Sequence, residues 1–193
     1  PRPVTVKHRI GLDRNEDYQF VQTFVERVAA AGCRHFIVHA RNAWLDGLSP
    51  RENREIPPLR PEVVRRLAKD FPDLAFELNG GLLTLAAADT LASGLAGAMF
   101  GRAAYHDPWI LAGIDGVLAD RHEAACRASE YLRRHRDQGV RLRDLARHVL
   151  GLYHGQPGAR RWRRHLSDPA VLERNDPMEL MRASEAMRVP VAA

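Results

Sequence analysis

The sequence predicts an α/β fold, a parallel sheet with crossover helices, followed by an all-helical segment. Three observations carry that reading. Short apolar runs alternate with amphipathic stretches at a spacing of roughly 30 residues, the size of a βαβ unit. The alternation stops at about Asp115. Polar residues stand at the carboxyl end of each apolar run, where parallel sheets hold their ligands.

The elements follow in chain order. Residues 3–9 predict a strand with Val4 and Val6 on one face, ended by Gly11. Asp13 and Asn15 are candidate helix caps, and Asp13 with Glu16 has the pattern of a capping box. Phe20, Phe24 and Val28 recur at intervals of four, with Val21 and Val25 beside them, and predict a helix that ends at Gly32. Residues 34–38 predict a second strand, whose run Phe36-Ile37-Val38 reads as buried. It delivers His39 and Arg41 into a long polar loop with Trp44, Gly47, Ser49 and Pro50, closed by Pro57 and Pro58. A loop of this length and charge is functional or disordered, and the Trp and paired prolines argue against disorder.

Pro61 suits the first turn of the next helix, with Val63, Val64, Leu67 and Ala68 as its buried stripe. Residues 74–78 predict a third strand, followed at once by Asn79-Gly80-Gly81. Thr84 opens an alanine-rich helix to about Ala92, and residues 97–100 predict a last strand before Gly101-Arg102. Beyond Asp115 the pattern is helical: 120–138, 141–154 with Leu142, Leu145, Ala146 and Val149 inward, a basic helix from Arg160 to Leu166 with Trp162 inward, and a final helix opened by Asp176-Pro177. The predicted segments are therefore 1–115 and 116–193.

Composition narrows the function classes. The chain has 193 residues, 45% hydrophobic and 27% charged, an ordinary globular mix. No apolar run approaches a membrane span and no signal-peptide pattern opens the chain. Cys33 and Cys126 make no metal spacing or disulfide framework, so a reducing cytoplasm is the default and both read as packing residues. The start, Pro1-Arg2-Pro3 without Met and with a strand following at once, reads as the middle of a longer protein. Net charge is +5, unevenly spread: residues 1–115 carry 14 basic and 14 acidic side chains, residues 116–165 carry 12 and 5, and residues 166–193 carry 3 and 5. Basic character in one segment points to a polyanion-facing surface. Arginine is favoured over lysine throughout, which makes a solvated arginine-rich face the competing reading.

Four strand ends carry the candidate chemistry: Lys7, His39 with Arg41, Asn79-Gly80-Gly81, and Gly101-Arg102. Glycine pairs let backbone amides approach phosphate oxygens, and an arginine at the next strand end adds a guanidinium. Each signal alone is weak; the four in strand order are much more informative. Arg160, Arg161, Arg163 and Arg164 fall within one and a half helical turns. Four like charges this close repel one another unless an anion sits among them, and a phosphate backbone is such an anion.

The stretches VKHRIG, FIVHARNAWLDGLSPRENREIPPL, NGG, GRAAYHDPW and LGLYHGQPGARRWRRHL resemble the tRNA-dihydrouridine synthases. The loop from Ala43 to Leu59 is most similar to the branch that modifies uridines 20 and 20a. The resemblance covers nearly the whole chain. It implies the carboxyl-terminal half of an FMN-type (β/α)8 TIM barrel, residues 1–115, followed by an all-helical tRNA-binding domain, residues 116–193. It implies that Lys7 meets the flavin near N1 and O2 and that His39 meets the ring edge. Asn79, Gly80, Gly81, Gly101 and Arg102 would hold the FMN phosphate. Arg51, Arg54, Arg160, Arg161, Arg163 and Arg164 would contact tRNA. The implied reaction is reduction of the uracil C5–C6 bond, with NADPH as reductant, no metal, and an intact enzyme that is monomeric. The catalytic cysteine loop of the family would lie before the first strand, so no catalytic residue is assigned in this chain, and four strands cannot close an eight-stranded barrel. The alternatives are a small-molecule FMN oxidoreductase of the dihydroorotate dehydrogenase type and a non-catalytic RNA-binding module. The basic tail and the Arg51–Glu55 loop disfavour the first.

Overall fold

The computed structural model describes residues 3–116 and 120–188. The outer ends of the expected segments, together with 117–119, lie outside the described residues. The chain forms two compact units, Pro1–Gly101 and Arg102–Ala193. The units part ahead of the 115/116 boundary read from the sequence, because the strand pattern ends at β4 and short helices fill the interval.

The first unit holds β1 (Thr5–Arg9), α1 (Tyr18–Ala30), β2 (His35–His39), α2 (Pro61–Asp70), β3 (Ala75–Asn79), α3 (Leu85–Leu91) and β4 (Gly97–Met99). The strands are parallel in the order β1-β2-β3-β4, so β1 and β4 are its edges. Each agrees with the sequence reading to within two residues. Because side chains alternate across a strand, Phe36, Val38, Phe76 and Leu78 share one face. They pack with Val21 and Val25 of α1, Val63, Val64 and Leu67 of α2, and Ala88 of α3. Phe36 and Phe76 stack with ring centroids 5.4 Å apart. Burying one such ring stabilises by roughly 1.5–3 kcal/mol, which is why the helix-facing positions of the two central strands are apolar. The opposite face carries Lys7, Arg9, His35, His39, Glu77 and Asn79. Helical crossovers that all cover one face leave the polar set on the other.

Two details of α1 depart from the sequence reading. Its N-cap is Asp17, whose carboxylate accepts the Gln19 amide at 3.0 Å. Asp13 sits at φ +50° and accepts the Leu45 amide instead, at 2.7 Å, so the expected capping box with Glu16 does not form. The tertiary partner 32 residues away wins over the local one. The buried stripe is Val21 and Val25, while Phe20 and Phe24 stay 47% and 39% exposed. By contrast Thr84 caps α3 as expected, accepting the Ala87 amide at 3.1 Å.

In the second unit every regular element among the described residues is helical: α4 (Arg102–His106), α5 (Ala112–Asp115), α6 (Arg121–His135), α7 (Leu142–Val149), α8 (Ala159–Leu166), α9 (Pro169–Arg174) and α10 (Met178–Arg188), with 3-10 turns at Pro108–Leu111 and Arg136–Gln138. The helix expected over 141–154 is shorter: α7 ends at Val149, five residues before His154, because residues 150–158 form turns. Helix α9 was not expected; Asp168-Pro169, a cap followed by proline at the first helical position, is its signal. Trp162 of α8 is 1% exposed, as the spacing requires. Its indole N–H donates to the Val149 carbonyl at 2.9 Å, and the Tyr153 ring lies 4.8 Å away. Leu132, Leu142, Leu166 and Leu180 complete this core.

Candidate functional site

The first candidate site lies at the carboxyl end of the sheet. Parallel register sets Arg9, His39, Asn79 and Met99 at one level, with Lys7 one step below on the same face. Burial holds the Lys7 ammonium below the ordinary lysine range, and the Arg9 charge adds to the effect. Asn79 reaches across to β4, its amide donating to the Met99 carbonyl at 2.8 Å. His39 is 8% exposed and lies against the turn that follows β3.

That turn requires glycine. Gly80 has φ +102° and Gly81 has φ +70°, a region L side chains rarely adopt. A Cβ on Gly80 would lie 2.4 Å from His39 Cδ2, and one on Gly81 would lie 2.7 Å from Leu59 Cδ2. At Gly101 a Cβ would meet nothing within 4 Å, so open space adjoins the backbone there. Lys7, His39, Asn79, Gly80, Gly81 and Gly101 thus all belong to the first unit and to strand ends. Arg102 is the first residue of the second unit and of α4.

Arg9 is the residue the sequence reading passed over. Its guanidinium donates to the carbonyls of Asn42 at 2.6 Å and Asn53 at 2.8 Å. Burial lowers its pKa, with Arg54 and Arg41 contributing. Asn53 in turn brackets Trp44: its amide donates to the Trp44 carbonyl, and its oxygen accepts the Trp44 N–H at 2.9 Å. The Asn42 amide donates to the carbonyls of Asp13 and Asn15 at 3.0 and 2.7 Å, and Arg41 donates to the Pro57 carbonyl. The long loop is therefore an ordered layer tied to β1. Nothing local to Arg9 signals this, since its partners are 33 and 44 residues away. Ser49 and Glu52 do carry a local signal, the reciprocal capping pattern: the Ser49 amide donates to Glu52 Oε2 at 2.8 Å and the Glu52 amide to Ser49 Oγ at 3.3 Å. Glu52–Arg54 form a 3-10 turn that Arg51 precedes and Arg54 ends; both arginines are exposed, and Arg51 makes a loose 4.0 Å pair with Glu55.

The second candidate site is α8. Arg160, Arg161, Arg163 and Arg164 are all exposed, opposite the buried Trp162. They do not form one cluster. Arg160 and Arg163 line an open hollow with the turn at His154–Gly158, while Arg164 lines a separate cleft of about 310 Å³ against α10; Arg161 borders both. Arg161 donates to the Ala186 carbonyl at 2.6 Å. Beneath the cleft, Glu179 is 3% exposed and is held by His165 at 2.8 Å, Arg174 at 3.0 Å and Arg182 at 3.0 Å. Burial pushes its pKa up, but the hydrogen bonds from His165 and Arg174 outweigh it and the net shift is downward.

The two cysteines are both half-buried. Among the described residues no group of three His, Cys, Asp or Glu could hold a metal ion, and no helix is long and apolar enough to cross a membrane.

A parallel sheet covered by crossover helices, with a lysine, a histidine and a glycine turn at its strand ends and continued by further helices, makes this an α/β protein. More specifically, the chain belongs to the dihydrouridine synthase family, whose profile matches residues 1–188. It is 45% identical over 195 residues to a protein of Synechocystis, covering 97% of this chain and 58% of that protein. It is 49% identical over 171 residues to one of Pseudomonas aeruginosa, covering 85% and 52%. It is 46% identical over 175 residues to one of Shewanella oneidensis, covering 87% and 52%. All three relatives are named tRNA-dihydrouridine(20/20a) synthase. The chain spans about half the length of the curated relatives it matches.

Proposed function

We propose that this chain carries the FMN-phosphate, flavin-edge and tRNA-binding parts of a tRNA-dihydrouridine(20/20a) synthase, which reduces the C5–C6 bond of uracil in the D-loop with NADPH as reductant. In this reading the first unit is a section of an FMN-binding barrel and the second unit is the tRNA-binding part. The observation that carries it is the single polar face at the carboxyl end of four parallel strands.

The residues present fit an anionic flavin nucleotide. Lys7 and Arg9 are two cations on one strand face, and among the described residues the Lys7 ammonium has no ion-pair partner. An anion-stabilising edge of a bound ring is the partner such a lysine lacks. Open space at Gly101 and the left-handed amides of Gly80 and Gly81 suit a phosphate, with Arg102 next in the chain. Bound FMN supplies the hydride. The chain's own part is to hold, orient and charge-stabilise: Lys7 at the pyrimidine edge, His39 braced by Gly80, and Asn79 tying β3 to β4. Neither Cys33 nor Cys126 stands in the family's catalytic cysteine motif, so the proton for C5 is assigned to no residue here.

The test is a pair of titrations on the 193-residue chain. FMN fluorescence should be quenched on binding, and Arg102→Ala should weaken that binding about tenfold through loss of a charge-assisted contact. Transcribed tRNA should bind, and Arg161→Ala with Arg164→Ala should weaken it while leaving FMN affinity unchanged. FMN affinity untouched by Arg102→Ala would remove the phosphate assignment. Binding of FMN without tRNA would favour the small-molecule oxidoreductase.

A further inference from the structure

Helix α10 contributes an arginine that faces the same cleft as α8. The cleft is lined by Arg161, Arg164, His165, Asp168, Arg182 and Ala186. Its cations come from two helices, and two of the three arginines are already fixed. Arg182 donates through Nη1 to Asp176 at 2.7 Å and to Glu179 at 3.0 Å, which leaves its other N–H groups for a further acceptor. Arg161 is tied by Nη2 to the Ala186 carbonyl. The Arg164 side chain is exposed and, among the described residues, makes no hydrogen bond or ion pair. The one acidic side chain on the lining, Asp168, is engaged as the N-cap of α9, accepting the Ala170 amide at 2.8 Å. An arginine whose rotamer is already held loses less entropy when it grips an anion, and a planar guanidinium can present two parallel donors to one phosphate.

We infer that the α8–α10 cleft is a discrete binding site for a backbone phosphate of RNA, with Arg182 as a contact residue alongside Arg164. The inference rests on the tRNA reading above and extends it. The RNA backbone passes over α8 onto α10, rather than along the RRWRR face alone. The carboxylates of Asp176 and Glu179 position Arg182 and do not line the cleft. A phosphate at this cleft meets the charge of Arg164, which has no carboxylate of its own, while Arg182 adds a guanidinium already held in place by Asp176 and Glu179.

The experiment is tRNA binding by the full 193-residue chain, followed by fluorescence anisotropy across a salt series, with folding checked by circular dichroism. Arg182→Ala should weaken binding about tenfold at 0.1 M salt and lower the slope of log affinity against log salt by about one. Because Arg182 also touches Glu179, a second variant avoids that network: Ala186→Glu puts a carboxylate at an exposed position on the cleft wall and should weaken binding at least as much. Lys69→Ala removes one positive charge in the first unit and should change neither quantity by more than about twofold. If Arg182→Ala and Ala186→Glu fold and bind like wild type while the Arg161/Arg164 double variant is weakened, the cleft is wrong and the α8 reading stands. If Lys69→Ala matches Arg182→Ala, the attraction is diffuse and the site is refuted. If the wild-type chain shows no salt-dependent tRNA binding, the tRNA reading fails and the cleft with it.

Discussion

At Gly80 the absence of a side chain is a requirement. The backbone is left-handed at φ +102°, and the space a Cβ would take is occupied by the His39 ring. Gly80→Ala should therefore destabilise the first unit by about 2–3 kcal/mol, from the backbone strain and the collision together. Urea denaturation measures this. In a His39→Ala background the collision is gone, so the same substitution should cost about 1 kcal/mol less. An equal cost in both backgrounds would show that backbone conformation alone requires glycine. Arg9 is the converse case, a residue whose length is essential. Its guanidinium satisfies two loop carbonyls, and that loop holds Trp44, over whose ring the Arg14 guanidinium lies 4.9 Å from the centroid.

Among the elements, α8 and α10 depend on one buried carboxylate. Glu179 is ionised, nearly inaccessible, and held by groups from α8, α9 and its own helix. Its folded-state pKa is depressed below the unfolded value, so the stability it contributes is present above the unfolded pKa. That stability is lost as pH falls through the folded pKa. Thermal melting of the chain between pH 7 and pH 3 should therefore show an acid limb below about pH 4.5, the ordinary carboxyl range. Glu179→Gln should lower stability at pH 7 by about 1–2 kcal/mol, since it takes the charge partner from Arg174 and Arg182, whose half-exposed guanidinium groups water still reaches. It should also flatten the acid limb. An acid limb unchanged in Glu179→Gln would assign it to other carboxylates, of which Glu130, pulled down to about 2 by Arg133 and Arg134, is the strongest surface candidate.

For the whole molecule, the proposed flavin site makes FMN affinity depend on the charge of Lys7. A lysine whose pKa is lowered loses its proton at a lower pH than an ordinary one. FMN binding by the chain should therefore fall as pH rises through that lowered value, below the usual lysine range. Lys7→Met should bind FMN more weakly at pH 7 and should lose the alkaline decline. Fluorescence titration across pH 6.5–10 reads both, and a decline that persists in Lys7→Met would place the titrating group elsewhere. Because β1 and β4 are edges of the described sheet, the face that carries Lys7 is bounded by unpaired strand edges.

The sequence by itself determined the four strands, their parallel sense, the helices between them and the inward Trp162. These follow from period, caps and turns, which are properties of neighbouring residues. It also set the strand-end order of Lys7, His39, Asn79-Gly80-Gly81 and Gly101-Arg102, because each residue follows directly from where its strand stops. Only the tertiary structure decided which aspartate caps α1, since Asp13 is drawn to a loop amide far along the chain. It also decided that Val21 and Val25, not Phe20 and Phe24, face the sheet, because the crossover angle selects the buried side of a helix with apolar residues on both. The targets of Arg9 and the burial of Glu179 likewise depend on contacts between distant segments. The RRWRR run shows the limit most clearly. Periodicity puts its four arginines opposite Trp162, but the neighbouring α10 and the turn at His154–Gly158 divide them between two depressions. A local pattern sets which way a side chain leaves its helix; what it meets there is set by elements brought in from elsewhere in the chain.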